Sequence, residues 1–308
     1  IVKRLVQLVP TLFFVSILIF SLQHLLPGDP AQVLAGEEAN PEVIAQIRAR
    51  YHLDQPLPLQ YGYWVGGVLT GDLGESMRLR LPVGELIVQK LPVTLQLAFM
   101  AMLIALLVGI PAGVISAVKK DSALDYAVNV VALAGISTPN FWLGIMLILF
   151  FAVNLGWLPA GGYVSPFVDL RQSLATTILP AVVLGTAIGG VIMRHTRSAM
   201  LQAMQSEYVR TARAKGLLEG VVIWKHAMRN ALTPVITLGA LEFGTLLSGA
   251  VLTEQIFSIP GFGKLIVDAV FNRDYAVVQG VVLITATIYI LLNLLADVAY
   301  IFVNPRLR

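Results

Sequence analysis

Stretches without a charged residue recur along the chain and are long: residues 5–28, 91–118, 126–168, 172–193 and 275–296, with a further run at 230–253 broken only by Glu242. A bilayer's hydrocarbon core, about 30 Å thick, takes about 20 apolar helical residues to cross. The pattern therefore predicts an all-α integral membrane protein with six transmembrane helices, at Val9–Leu26, Thr94–Val118, Val128–Asn154, Ile178–Met193, Thr233–Thr253 and Val277–Val303. The run at 126–168 is long enough for two helices. Gly156, Pro159, Gly161, Gly162 and Pro166 crowd its second half, however, and would break a helix exposed to lipid. Lys3 and Arg4 ahead of the first apolar run also fit a secretory leader, but an 18-residue apolar core followed by five more spans favours a retained helix.

Between the spans lie two sizeable polar segments. Residues 27–93 open with the turn Pro27-Gly28-Asp29-Pro30, which stops the first helix. Within them Val43, Ile44, Ile47 and Tyr51 recur at helical spacing, and Leu86, Ile87 and Val88 ahead of Pro92 predict a further helix entering the second span. The second polar segment is 194–230. Its side of the membrane, shared by both termini and the Lys119-Lys120 turn, carries 13 of the 21 basic residues. The bias of Lys and Arg towards cytoplasmic loops puts both termini in the cytoplasm, 27–93 outside as an extracytoplasmic cap and 194–230 inside.

Composition agrees with a single membrane domain over 1–308. Hydrophobic residues make up 57% of the chain and charged residues 13%, against about 25% charged in soluble domains, and the mean hydropathy is +0.79. The net charge of +3 follows from the loop bias and is no sign of nucleic-acid binding. With no cysteine, disulfides, thiol catalysis and cysteine-held metals are excluded. His24, His52, His195 and His226 share no metal-ligand spacing, and no nucleophile, base and acid can be grouped on one side of the membrane, so no catalytic residue and no metal site is predicted. Gly261-Phe262-Gly263-Lys264 superficially resembles a phosphate loop. That loop needs glycine where Ser258 stands and a hydroxyl where Leu265 stands.

Two intramembrane positions are candidates for the path of a solute. Glu242 places an ionisable group inside the fifth span, at a cost of about 2.5 kcal/mol or more unless it faces the bundle interior or water. A buried structural role explains it equally well. Pro139 frees a backbone carbonyl in the third span and fits either a hinge or simple packing. The pairs Gly109/Gly113 and Gly185/Gly189, four residues apart, allow close helix approach.

The most informative segment is Glu207-Tyr208-Val209-Arg210-Thr211-Ala212-Arg213-Ala214-Lys215-Gly216, in the predicted cytoplasmic loop. It reads as a helix stopped at Gly216, with Arg213 and Lys215 in the last turn, where cations suit the dipole. Small Thr211, Ala212 and Ala214 give a slim face able to enter a partner's cleft. A basic loop resting on anionic lipid is the plainer alternative. The segment resembles the cytoplasmic EAA loop of ATP-binding-cassette importer permeases. It is most similar to the dipeptide, oligopeptide, nickel and glutathione branch, through Tyr208, Arg210–Gly216, His226, Arg229-Asn230 and Pro234. Pro27-Gly28-Asp29-Pro30, Gly71-Asp72-Leu73-Gly74 with Ser76, Ser137-Thr138-Pro139, Pro260-Gly261, Arg273-Asp274-Tyr275 and Asn304-Pro305-Arg306 extend the resemblance almost end to end. Ala276 departs from it, proline being expected there.

The resemblance implies a permease subunit in a bacterial or archaeal cytoplasmic membrane that is not itself an enzyme. It would pair with a second permease, most simply as a heterodimer, and couple through Glu207–Gly216 to two separate ATPase subunits that carry ATP and Mg. An extracytoplasmic binding protein would deliver the solute, and the loop with Phe257, Pro260 and Gly261 would act as an external gate. Peptides, glutathione, nickel chelates and sugars remain open as cargo. The rival from another class is an ion-coupled secondary transporter or channel using Glu242; a scaffold protein without transport is a third reading.

Overall fold

The computed structural model describes residues 2–25, 29–35 and 40–303. The Pro27-Gly28 turn and the Asn304–Arg308 tail lie outside the described residues. In chain order the helices are α1 (Val2–Leu25), α2 (Pro30–Ala35), α3 (Pro41–Arg50), α4 (Leu57–Thr70), α5 (Val83–Val118), α6 (Ala123–Ser137) and α7 (Asn140–Leu147), which runs on as a π-helical stretch, Ile148–Asn154. There follow α8 (Leu170–Met204), α9 (Glu207–Ala214), the single turn α10 (Glu219–Val221), a π-helical stretch Val222–Ala227, α11 (Met228–Gly249), α12 (Val251–Ile256), α13 (Phe262–Phe271) and α14 (Tyr275–Val303). Among the described residues the only β pairing is an isolated bridge between Glu75 and Pro82.

Among the described residues four helical segments are long and apolar enough to cross a membrane: Val83–Val118, Leu170–Met204, Glu219–Leu247 and Tyr275–Leu292. A fifth crossing is available if α6 and the helix Asn140–Asn154 count as one span. The first predicted span falls on α1, whose residues Pro10–Ser21 are apolar. The expected single helix Val128–Asn154 needs correction, because the two halves meet at 100°. The break lies at Thr138-Pro139. Pro139 has no N–H to continue α6, and its ring bars the preceding residue from helical backbone. Thr138 accordingly takes ψ 124°, and Pro139 stands ahead of α7, not inside a span.

Two other boundaries also move. The second predicted span and the short helix before it are one helix, α5, which begins at Val83 and carries Glu85 in its first turn. The fourth extends at both ends into α8, so the first part of the predicted 194–230 loop is helical.

The chain divides into two compact units, one of Ile1–Val93 with Gly261–Ile290, the other of Thr94–Pro260 with Leu291–Arg308. In the first, α1 packs on α4 and α2 on α3. Its core is a cluster of Val83, Leu86, Ile87, Phe262, Ala269, Val277 and Val281. Buried Asp274 caps α14 and ties the loop before α5 to it: its carboxylate accepts from Ser76 Oγ at 2.5 Å, from Met77 N at 3.2 Å and from Val277 N at 3.4 Å.

In the second unit α8 is the central helix, packed on α6, α7 and α11. Small residues set how close it comes. A Cβ on Gly113 would stand 2.6 Å from the Met193 carbonyl oxygen, and one on Gly190 would stand 2.7 Å from that of Ala132. Gly109 and Gly185 are equally tight against Gly189 and Ala101, so both predicted glycine pairs have members at the α5–α8 contact.

Candidate functional site: a seated amphipathic helix between α8 and α11

α8 ends at Met204, and Ser206 turns the chain, its hydroxyl bonding back to the Ala203 carbonyl at 2.5 Å. The eight residues of α9 then alternate by face. Val209 and Ala212, three apart, are buried at 0% and 5% exposure. They sit on Val114 and Ala117 of α5, Met200 and Ala203 of α8, Val222, Ile223 and Ala227 of the π-helical stretch, and Ala231 of α11. A helix of two turns is unstable alone in water, so this seat is what holds it.

Polar bonds trim the rest. Arg210 pairs with Glu207 at 2.8 Å, and Thr211 Oγ1 donates to the Glu207 carbonyl at 2.9 Å. Arg213 makes a two-pronged contact with Glu219, Nε at 3.1 Å and Nη2 at 2.6 Å, and that carboxylate holds the guanidinium above its ordinary pKa. The helix stops as predicted at Gly216, whose φ of 74° is the left-handed conformation natural to glycine, with its N–H on the Arg213 carbonyl at 2.9 Å.

Of the predicted coupling residues, Glu207, Tyr208, Arg210, Thr211, Arg213, Ala214, Lys215 and Gly216 are exposed and Ala212 is not. Ala212 therefore belongs to the seat and not to the slim face it was expected to form. The outward surface also includes residues that the sequence reading passed over: Leu218 at 78% exposure and Trp224 at 56%, with Leu217 and Val221 partly exposed. The available signal was their apolar character inside a basic segment. Such a surface holds no nucleophile, base or metal ligand set. What it offers is an apolar patch edged by charge, the composition of a docking face.

The floor of the seat is braced by a buried polar cluster. Asp125, 2% exposed, accepts from Arg197 Nη2 at 2.8 Å and Nε at 2.9 Å, from Asn129 Nδ2 at 2.7 Å, from the Asp121 N–H at 3.0 Å and from Ser116 Oγ. Arg197 lies in the part of the chain expected to be loop.

The other candidates are dispersed. Glu242 is half-buried on α11, with no hydrogen bond or ion pair to a described residue. Pro139 is exposed at the α6–α7 break. Phe257 of the expected gate loop is 1% exposed, its ring 3.2 Å from where a Cβ on Gly144 would stand and its carbonyl bonded to Gly162 N at 2.9 Å. Pro260 is half-buried, and Gly261 is buried ahead of α13. A buried carboxylate lies nearby: Glu254, fully buried, accepts from Thr94 Oγ1 at 2.5 Å.

Residues 109–308, which include α9 and its whole seat, match the family model described as binding-protein-dependent transport system inner membrane component, and residues 1–98 match that for the N-terminal part of such membrane components. The chain belongs to this family. The dipeptide transport system permease protein DppB of Escherichia coli (strain K12) is 46% identical over all of this chain and 98% of its own length. The di/tripeptide transport system permease protein DppB of Pseudomonas aeruginosa (strain UCBPP-PA14) is 45% identical over all of this chain and 98% of its own length. Among solved structures, the MetNI methionine ABC transporter in inward facing conformations matches with a TM-score of 0.59 over 71% of this chain and 96% of that chain, at 19% identity, a likeness of fold alone. Family membership does not favour an ion-coupled carrier working through Glu242.

Proposed function

We propose that the chain is the permease subunit of an ATP-driven importer of short peptides and forms half of a translocation pathway completed by a second, similar permease. The peptide cargo is carried over from the dipeptide and di/tripeptide permeases that it resembles over its whole length. Six spans with both termini cytoplasmic belong to this reading: the four long apolar helices, the bent α6–α7 pair and α1. The binding of ATP and Mg falls to two separate ATPase subunits. An external binding protein docks on residues 27–93, and the surrounding lipid solvates the apolar helix faces.

The observation that carries the reading is the geometry of α9. Glu207, Tyr208, Arg210, Thr211, Arg213, Ala214, Lys215 and Gly216 point outward, while Val209 and Ala212 anchor the helix on α5, α8 and the start of α11. An ATPase that grips the outward face thereby grips three long helices at once. Closure of two such ATPases on ATP would rock the attached helices as bodies and switch access to the pathway. Glu242, the Pro139 break and the segment with Phe257, Pro260 and Gly261 are the pathway and gate positions of this scheme.

The absence of cysteine makes the test direct. Thr211→Cys and Val209→Cys place single thiols on the outward and inward faces of α9. In membranes also containing the ATPase subunits proposed as its partners, the Thr211→Cys thiol should cross-link to an ATPase and the Val209→Cys thiol should not, and dipeptide uptake should require ATP. An inserted Thr211→Cys protein that supports uptake yet cross-links to no ATPase would overturn the coupling assignment.

A further inference from the structure

The unit made of residues 1–93 and 261–290 contains a cavity of about 730 Å3, within the range of about 300–1,000 Å3 usual for small-molecule sites. One wall is aromatic. Trp64 and Tyr63 of α4 line it, with His52 stacked on Tyr63 at 4.2 Å and Phe20 of α1 set 6.0 Å from Trp64. The other lining is charged, with Asp72 and Glu75 on the segment before α5 and Arg50 at the end of α3.

Three features set this cavity apart from a surface dimple. First, its charges have no ionic partner among the described residues. Arg48, two residues before Arg50, is bound to Asp29, and Lys264 is paired with Asp268 at 3.8 Å. Arg50, Asp72 and Glu75 make no ion pair with any described residue. Among the described residues a single Asp72 oxygen is engaged, by the Gly74 N–H at 2.9 Å. Second, the acidic wall is rigidly held, because Asp274 fixes Ser76, Met77 and Arg78 immediately after it. Third, His52, at φ 54°, closes α3 as a left-handed helix cap, with Leu53 N bonded to the Arg48 carbonyl at 2.8 Å, and so fixes where Arg50 and His52 stand in the lining.

From this we infer that the cavity is a binding site on the permease chain itself for a small zwitterion with an apolar side chain, such as a free dipeptide. The ammonium end meets Asp72 and Glu75. The carboxylate end meets Arg50, whose guanidinium carbon already lies 5.8 Å from the Tyr51 ring and whose planar fork suits a carboxylate. The apolar side chain lies on Tyr63 and Trp64. The ligand class follows from the cavity's own charges, so binding here and the coupling role of α9 stand or fall separately.

The test is calorimetric titration of the full chain in nanodiscs, without ATPases or binding protein, using L-alanyl-L-phenylalanine, its C-terminal amide and its N-acetyl derivative. Each blocked form should bind at least about tenfold more weakly, since one charge-assisted bond is lost. Arg50→Gln should weaken the free dipeptide by about the same factor while leaving the amide unchanged, and Asp72→Asn with Glu75→Gln should do likewise for the N-acetyl form. Unchanged binding of the matching blocked form in each variant also shows that the fold is intact. The inference is overturned if the free dipeptide does not bind, if blocking either end costs nothing, or if Arg50→Gln weakens the amide as much as the dipeptide.

Discussion

Val209→Ala isolates the seat of α9 from the face it presents. Val209 is fully buried, and truncation removes two methyl-sized groups worth about 0.8 kcal/mol each in transfer alone. A residual cavity adds to this, for a total of about 1.5–2.5 kcal/mol. None of that loss can be recovered inside α9, because eight residues do not hold a helix by propensity. The cost should therefore appear as local opening of Glu207–Leu217, not as global unfolding. At a factor of ten per 1.4 kcal/mol, the opened fraction rises by about 10- to 60-fold.

Hydrogen exchange reads this directly. The amides of Lys215, Gly216 and Leu217 close the end of the helix onto the carbonyls of Thr211, Arg213 and Ala212 at 3.1, 2.9 and 3.4 Å. They should exchange faster by that factor in Val209→Ala, while amides of α8 and α11 keep their rates. Tyr208→Ala, on the exposed face, should leave exchange unchanged and weaken only the association with an ATPase. Equal acceleration in both variants, or none in Val209→Ala, would refute the division of α9 into seat and face.

Three further outcomes follow from the packing. Gly161→Ala places a Cβ 2.3 Å from the Phe257 carbonyl oxygen and should destabilise the protein by about 1–3 kcal/mol through backbone displacement. In a thermal melt, Gly62→Ala, with nothing within 4 Å, should show no loss. Asp125→Asn strands Arg197 without its counter-charge, so the melting temperature should fall by several degrees, and adding Arg197→Gln should restore part of it instead of adding to the damage. Arg48 holds the Asp29 carboxyl below the usual carboxylate range, chiefly through the hydrogen bond between them. Because the folded pKa is the lower one, the tie between Asp29 and α3 is complete above about pH 4 and is lost as pH falls through the folded pKa, and the protection of Ala31, whose N–H bonds to Asp29 at 3.0 Å, measured against the intrinsic exchange rate at each pH, should fall over that window and hold constant between pH 5 and 8.

Charge-free runs located the apolar stretches but not the helix ends, and the reason is physical. A charge marks where lipid must stop, whereas a helix continues for as long as its backbone bonds do. Glu85 and Lys90 ride on α5, and Arg171, Arg194 and Arg197 ride on α8. Pro139 was legible as a special position, and the rule that restricts the residue before proline already pointed to a break. The limits of α9 and its stop at Gly216 were legible too, since both are local. Its facing was misjudged at Ala212 because small size was read as readiness for a partner, although Val209 and Ala212 already stood at the three-residue spacing of a buried stripe. Glu254 and Asp274 were beyond sequence reading: Thr94 and Ser76 lie 160 and 198 residues away in the chain.

Those long-range bonds bear on how a membrane bundle of this kind keeps its register. Between helices in lipid, hydrophobic burial gives little drive, so close approach of small residues and buried polar bonds must do the aligning. Both devices meet on one stretch of α5. Gly113 brings it within contact of Met193 and Thr196 on α8, and Ser116, three residues on, joins Arg197 of α8 and Asp125 of α6. Val114 and Ala117, which floor the seat of α9, lie between and beside these two fastenings. The seat is thus laid on α5 and α8 where a close backbone approach and a polar bond both join them. A displacement of α9 that keeps Val209 and Ala212 in place must therefore carry both helices together, because sliding one past the other would force the Gly113 backbone into Thr196 and part Arg197 of α8 from Ser116 of α5.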